Sequence, residues 1–170
     1  PLLEQVARRG RPVILSTGMS TLAEIDAAVA ILRDRVELYV LQCTSAYPLD
    51  FDAVNLRAMP ALAGRYRLPV GLSGHHRGIA VDAAAVALGA RIIERHFTLD
   101  RTWKGTDHAA SLEPPGLARL VRDVRAVEAA LGDGDKQVLP CEEPARAKLR
   151  GARQQRPAGR GAPPVRVGAS

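Results

Sequence analysis

Aromatic residues are scarce in this chain: one Trp, three Tyr and two Phe make up 4% of 170 residues. A core without aromatic bulk must be assembled from Ala, Val, Leu and Ile, the composition of buried parallel strands covered by helices. Cysteine is nearly absent as well. Cys43 and Cys141 lie far apart and form no metal-spaced pair, so the simpler expectation is a reduced, cytoplasmic chain. No apolar run approaches the roughly 18 residues needed to span a bilayer, and Pro1 to Gln5 lack the basic start and apolar middle of a signal peptide. No membrane association is expected. Glycine loops of the G-x-G-x-x-G or Walker type are missing after every apolar run, which leaves a nucleotide-binding α/β domain without support.

The positive charge is unevenly placed along the chain. Ala145 to Ser170 holds seven basic residues and no Asp or Glu, so the net charge of +6 falls to −1 over residues 1–144. The basicity belongs to the tail and not to the body. A nucleic-acid or acidic-surface binder working through that tail is disfavoured, because its charges are diffuse and no aromatic side chain is there to stack.

Four short apolar runs punctuate the body: Val13-Ile14-Leu15, Leu38 to Leu41, Pro69 to Leu72 and Arg91 to Glu94. Each precedes a helix-like stretch. Thr21 and Glu24 have capping-box spacing, and Leu22, Ile25, Val29 and Leu32 keep one apolar stripe. Ala80 to Leu88 reads as a helix stopped by Gly89, and Leu117 to Leu131 as one stopped by Gly132. A less regular helix is expected around Asn55 to Gly64, and Leu2 to Arg9 reads as a helix ahead of the first strand, so the chain is expected to begin mid-domain. Strand–helix alternation at intervals of about 20 to 30 residues means parallel pairing through crossovers. Four units make half of a (β/α)₈ TIM barrel or, alternatively, a small open doubly wound sheet. The expected division is a barrel half over residues 1–149 and a disordered Arg/Gly/Pro-rich tail over 150–170.

Polar residues gather where the strands exit. The four clusters are Ser16-Thr17-Gly18-Met19, Gln42 to Pro48, Ser73-Gly74-His75-His76 and Glu94 to Thr98. In a parallel α/β barrel this is the chemical rim, and four such clusters in succession point to an oxygen-rich ligand. His75 and His96 close successive strands, which lie about 4.8 Å apart, so both imidazoles can converge on one ion; the other reading is that each bonds its own loop. Two imidazoles with open positions suit Mn²⁺, Fe²⁺, Co²⁺ or Zn²⁺. Ser16, Ser45 and Ser73 offer hydroxyls to a phosphate or carboxylate, although serine is also an ordinary turn residue. Glu94 shares the His96 side of its strand and either orients a ligand or pairs with a buried base. The loop Trp103 to His108 carries Asp107 and is either a substrate lid or a surface connection. His76 and His108 are expected to face solvent, and Met19 and Cys43 to pack at strand ends.

On these residues the sequence resembles the N-acetylneuraminate (sialic acid) synthase family. The matching segments are Arg11 to Met19, Gln42 to Pro48, Val54 to Arg57, Ser73-Gly74-His75, Ala85 to Ala90, Glu94 to Asp100, and Trp103 to His108 through Ser111 to Pro114. They occur in order, and the resemblance runs from Pro1 to about Leu149. The resemblance implies a (β/α)₈ barrel followed by a small antifreeze-like domain, a homodimer, and condensation of phosphoenolpyruvate with N-acetylmannosamine or its 6-phosphate, with release of phosphate. It implies that His75 and His96 bind a divalent metal, most simply Mn²⁺, with Mg²⁺ or Co²⁺ as alternatives. Ser16 and Ser73 would hold phosphoenolpyruvate. Ser45 stands where many bacterial members have Asn, and Tyr47 and Asp107 match residues near the amino sugar. Glu94, Asp107 and Tyr47 are the catalytic candidates. Gly74, where bacterial members commonly have Asp, and the Trp103-Lys104-Gly105 loop place the sequence nearest the animal-type, 9-phosphate branch.

In the chemistry so implied, a metal acts as Lewis acid on the open-chain aldehyde while C3 of phosphoenolpyruvate attacks. Water then captures C2 before phosphate departs, and rim hydroxyls position both partners. The acid, the two lysines and the further phosphate contacts of the family's first four strands have no counterpart here, nor does the antifreeze-like domain that donates an Arg across the dimer. From Lys148 the sequence leaves the family pattern. Two sheet edges left open by half a barrel favour a second expectation: a catalytically inactive fragment, or one that works only when paired with another chain.

Overall fold

The computed structural model describes residues 1–154, with side chains to residue 150. The chain forms two compact units, Pro1–Gly132 and a second from Asp133 onward.

The first unit runs α1 (Leu2–Arg8), β1 (Val13–Ser16), α2 (Leu22–Leu32), β2 (Leu38–Cys43), α3 (Ala58–Tyr66), β3 (Val70–Gly74), α4 (Ala80–Ala87), β4 (Ile92–Arg95) and α5 (Pro114–Leu131). The four strands form one parallel sheet in the order β1-β2-β3-β4. That order decides between the two architectures open to the sequence. A doubly wound sheet reverses its strand order at a switch point, whereas here each strand pairs with the next, as in a barrel wall. The unit is a half barrel.

Alternation along the strands separates two faces. Val40, Val70 and Leu72 point toward the helices and bury against Ile25, Val29 and Leu32 of α2, Met59 and Leu62 of α3, and Ala85 of α4. Each fully buried aliphatic side chain there contributes about 1.5–3 kcal/mol. On the opposite, lumen-side face Ile14 remains 52% exposed, and Ser16 and Glu94 are exposed with it.

Local signals account for most element ends. The capping box at α2 is present, with the Thr21 hydroxyl accepting from Glu24 N and the Glu24 carboxylate accepting from Thr21 N. α5 starts at Pro114, earlier than its apolar stripe, because proline at the first position has no amide hydrogen to leave unpaired. The irregular segment expected around Asn55 resolves into a 3₁₀ turn, Phe51–Ala53, followed by α3, with Asn55 itself at φ +53°. Met19 is no packing residue: it lies at φ +57° and is 89% exposed.

The second unit holds a 3₁₀ turn, Pro140–Glu142, and α6, Glu143–Gln154. The tail boundary expected at residue 150 therefore falls inside a helix, and the remainder of that tail lies outside the described residues. Ala, Lys, Leu and Arg are strong helix formers, and they dominate Ala145 to Arg150. No helix among the described residues is long and apolar enough to cross a membrane.

Candidate active site

The C-terminal ends of β2, β3 and β4 bring three rings together. The centroids of His75 and His96 are 5.3 Å apart, and Tyr47 lies over both, at 4.2 Å from His75 and 5.3 Å from His96. Parallel register produces this. Cys43 is opposite Ser73, and Ser73 is opposite Glu94, so two residues further on His75 and His96 emerge on the same side. Tyr47 returns to the site through the loop after β2, ahead of a cis Tyr47–Pro48 peptide.

Hydrogen bonds fix the tautomer of His75. Its Nδ1 lies 2.9 Å from the Thr44 carbonyl oxygen, which can only accept, so Nδ1 carries the hydrogen. Nε2 then presents a lone pair, and the Tyr47 hydroxyl donates to it at 2.8 Å. A backbone carbonyl holding the far nitrogen is the arrangement that orients a ligating histidine. Burial first, and then Cys43, Asp107 and Glu94, push the Tyr47 hydroxyl above its ordinary pKa, which keeps the donor protonated.

The other candidates divide. The buried Ser73 hydroxyl donates to Glu94 at 2.6 Å, so these two act as a pair beside the imidazoles. Glu94 therefore finds a hydroxyl and not a buried base. Asp107 approaches His96, its Oδ2 lying 3.7 Å from Nδ1, beyond hydrogen-bond reach but close enough for attraction to a protonated ring. Ser45 meets the Cys43 thiol at 3.7 Å, and Cys43 in turn touches His75 Nδ1 at 4.0 Å. Gly18 makes room for this contact: a Cβ there would stand 2.1 Å from Ser45 Oγ. Ser16 is exposed at the end of the edge strand β1, two strands from β3. Its neighbour Thr17 is the buried one, donating to the Leu41 carbonyl at 2.8 Å.

The loop after β4 is folded back on the rim. Thr98 N and Leu112 N bond across to Leu112 O and His96 O, and the Thr98 hydroxyl pairs with His108 Nδ1 at 2.8 Å. His108 is thus engaged and half-buried, not solvent-facing. His76 departs further from expectation. It is fully buried against Asp82 and Arg95. Period two places residue 76 on the helix-side face with Leu72 and Gly74, and that spacing was the available signal. Cys43 and the Thr44 carbonyl both contact His75, and residue type alone discloses neither contact.

A cavity of about 630 Å³ adjoins the rim. It opens between α2 and α3 and is lined by Leu22, Ile25 and Leu62 together with Cys43, Thr44 and Ser45 of the β2 exit, but by neither imidazole of the rim. The convergence of titratable groups, and not cavity size, identifies the candidate site. Among the described residues no group of three His, Cys, Asp or Glu side chains is gathered to hold a metal. The rim offers two imidazoles, one of them with its tautomer set for ligation. That donor set fits an ion whose remaining positions are filled by substrate or water oxygens.

The sequence matches the NeuB family over residues 1–136. This chain belongs to that family. It is 50% identical over 151 residues to the N-acetylneuraminate-9-phosphate synthase of Homo sapiens, covering 88% of this chain and 42% of the relative. To the N,N'-diacetyllegionaminic acid synthase of Campylobacter jejuni it is 45% identical over 147 residues, covering 84% and 44%. Among solved structures, the N-acetylneuraminic acid synthetase of Leptospira borgpetersenii, in complex with citrate, superimposes with a TM-score of 0.77 at 39% identity, covering 88% of this chain and 54% of that one. This NeuB-family chain spans less than half the length of the curated relatives it matches.

Proposed function

We propose that this chain supplies the metal-bearing rim of a synthase that condenses phosphoenolpyruvate with an N-acylated amino sugar of the N-acetylmannosamine type, with the 6-phosphate as the favoured form. The observation that carries the reading is the His75–His96 pair, 5.3 Å apart and with His75 Nε2 presented by the Thr44 carbonyl. Identity of 50% to a 9-phosphate synthase supports the class and the branch.

In this reading His75 and His96 hold a divalent ion, Mn²⁺ first, with Mg²⁺ or Co²⁺ as alternatives. When bound, it supplies Lewis-acid polarisation of the sugar aldehyde. The protein's own groups do the rest. Ser45, and Ser16 once the barrel is closed around it, donate to the phosphate and carboxylate of phosphoenolpyruvate, and Ser73 lines the same position while its one proton goes to Glu94. Glu94, oriented by the Ser73 hydroxyl, and Asp107 hold the sugar's hydroxyl protons, and Tyr47 shields the ion position from bulk water. Positioning two substrates on one rim removes much of the entropic barrier to their union. Two unpaired cysteines, Cys43 buried and Cys141 exposed, accord with a reducing, cytoplasmic setting. A homodimer belongs to the same proposal.

One observation favours a second reading. Among the described residues β1 and β4 are the outer strands of the sheet, with no strand beyond either, and on the lumen-side face Ile14 is half exposed. On this reading the rim works only when another barrel half completes the wall. The test is phosphate release from phosphoenolpyruvate with N-acetylmannosamine 6-phosphate and Mn²⁺, for the chain alone and with the missing half of the human relative added. Sugar-dependent release that His75→Ala abolishes supports the synthase reading. Release only after addition selects the second reading, and no release in either arm overturns both.

A further inference from the structure

A buried charged cluster lies behind the rim, on the helix side of the sheet. The Arg95 guanidinium donates to the Asp82 carboxylate, to the Gly78 carbonyl at 2.9 Å and to the His76 carbonyl at 2.7 Å. Its side chain is 4% exposed, and those of Asp82 and His76 are not exposed at all. Arg95 directly precedes His96, and His76 directly follows His75. One guanidinium therefore bridges the two chain segments that carry the rim imidazoles.

The backbone does not make this link. The β3–β4 ladder ends at Gly74 opposite Arg95. Beyond it the partners diverge: the His75 carbonyl accepts from Leu49 N and the His96 carbonyl from Leu112 N. Strand pairing thus brings the two rings to the same side but makes no backbone bond between residues 75 and 96 themselves. Gly74 is fitted to the cluster as well, since a Cβ there would stand 2.9 Å from His76 Cε1 and 3.0 Å from Arg95 Cδ. The cluster is also costly, for among the described residues His76 Nδ1 and Asp82 Oδ1 are buried and have no protein hydrogen-bond partner. Apolar residues of similar volume are often as stable as a buried ion pair or more so, and a buried group left unpaired is one for which a role beyond stability is worth seeking.

We propose that Arg95, anchored by Asp82, is a positioning residue that sets the spacing of His75 and His96. The inference rests on the reading of those histidines as the metal pair. Lysine cannot replace it, because a point charge lacks the fork that reaches a carboxylate and two carbonyls together.

The test uses the full chain with Arg95→Lys, the double variant Arg95→Met/Asp82→Asn, which leaves no buried charge unpaired, and Arg65→Lys as a control on the outer helices. Co²⁺ binding is followed by visible absorption, and the imidazole ¹⁵N resonances are recorded without metal. Both cluster variants are expected to fold, to bind Co²⁺ about 10–100-fold more weakly, and to shift the His75 and His96 resonances, while the control changes neither. A folded cluster variant with wild-type affinity and unmoved resonances overturns the proposal. So does unfolding of both variants, since the cluster is then a folding element only. If the unmutated chain binds no Co²⁺, the metal reading fails, and the positioning role is judged on the imidazole resonances alone.

Discussion

The Tyr47 hydroxyl donates a 2.8 Å hydrogen bond to Nε2 of His75, the nitrogen left free by the bond from Nδ1 to the Thr44 carbonyl. It occupies the lone pair with which His75 would address an ion. The raised pKa of Tyr47 keeps that proton in place at neutral and mildly alkaline pH. Tyr47→Phe is therefore expected to tighten Co²⁺ or Mn²⁺ binding by roughly 2–10-fold, the worth of one neutral hydrogen bond. Calorimetric titration of the two proteins checks the sign, and weaker binding by the Phe variant would place Tyr47 among the ligands' supports instead.

Gly18 lets the loop after β1 approach the exit of β2, where a Cβ would meet Ser45 Oγ at 2.1 Å and Cys43 Sγ at 2.9 Å. Gly18→Ala overpacks this contact, and a loss of about 1–3 kcal/mol is expected. Urea unfolding measures it. An unchanged midpoint means that the loop moves aside freely, and that Ser45 is not held where the proposed phosphate contact requires.

Asp26 on α2 accepts from both Arg65 and Tyr66 on α3, and these bonds hold its carboxyl at about 2, below the ordinary aspartate range. A depressed carboxyl stabilises the fold above its unfolded pKa and loses that contribution as pH falls through the folded one. Asp26→Asn is expected to melt at a lower temperature than the parent at pH 6, with the gap closing between pH 4 and pH 2. Melting curves across that range decide it. A constant gap shows that packing, and not ionisation, carries the contact.

Thr21 and Glu24 form the reciprocal cap of α2. Thr21→Ala removes an acceptor for the Glu24 amide and is expected to cost about 1 kcal/mol. Denaturant midpoints of this variant and of Glu24→Ala, compared with the parent, test whether the box contributes as a unit or through one bond.

The sequence disclosed elements more readily than contacts. Capping pairs, glycine stops and one-faced apolar stripes located α2, α4 and α5 within a few residues, because those signals are local. Tyr66 shows where local reading ends: its hydroxyl reaches Asp26, forty residues away in the chain, and nothing in the sequence near either residue announces the partner. The histidines differ most from what their neighbours in the chain suggest. His75 and His76 are adjacent, yet the alternation of a strand sends one to the lumen side and the other into a buried ion cluster.

Composition and periodicity by themselves determined that this chain builds parallel strand–helix units with polar strand exits, since apolar spacing is a property of neighbours along the chain. Only the tertiary structure decided that the strands run in unbroken order, that Tyr47 caps His75, and that Arg95 joins the two histidine segments. Those relationships depend on register between strands far apart in sequence, and register is settled when whole faces pack, not by any one segment.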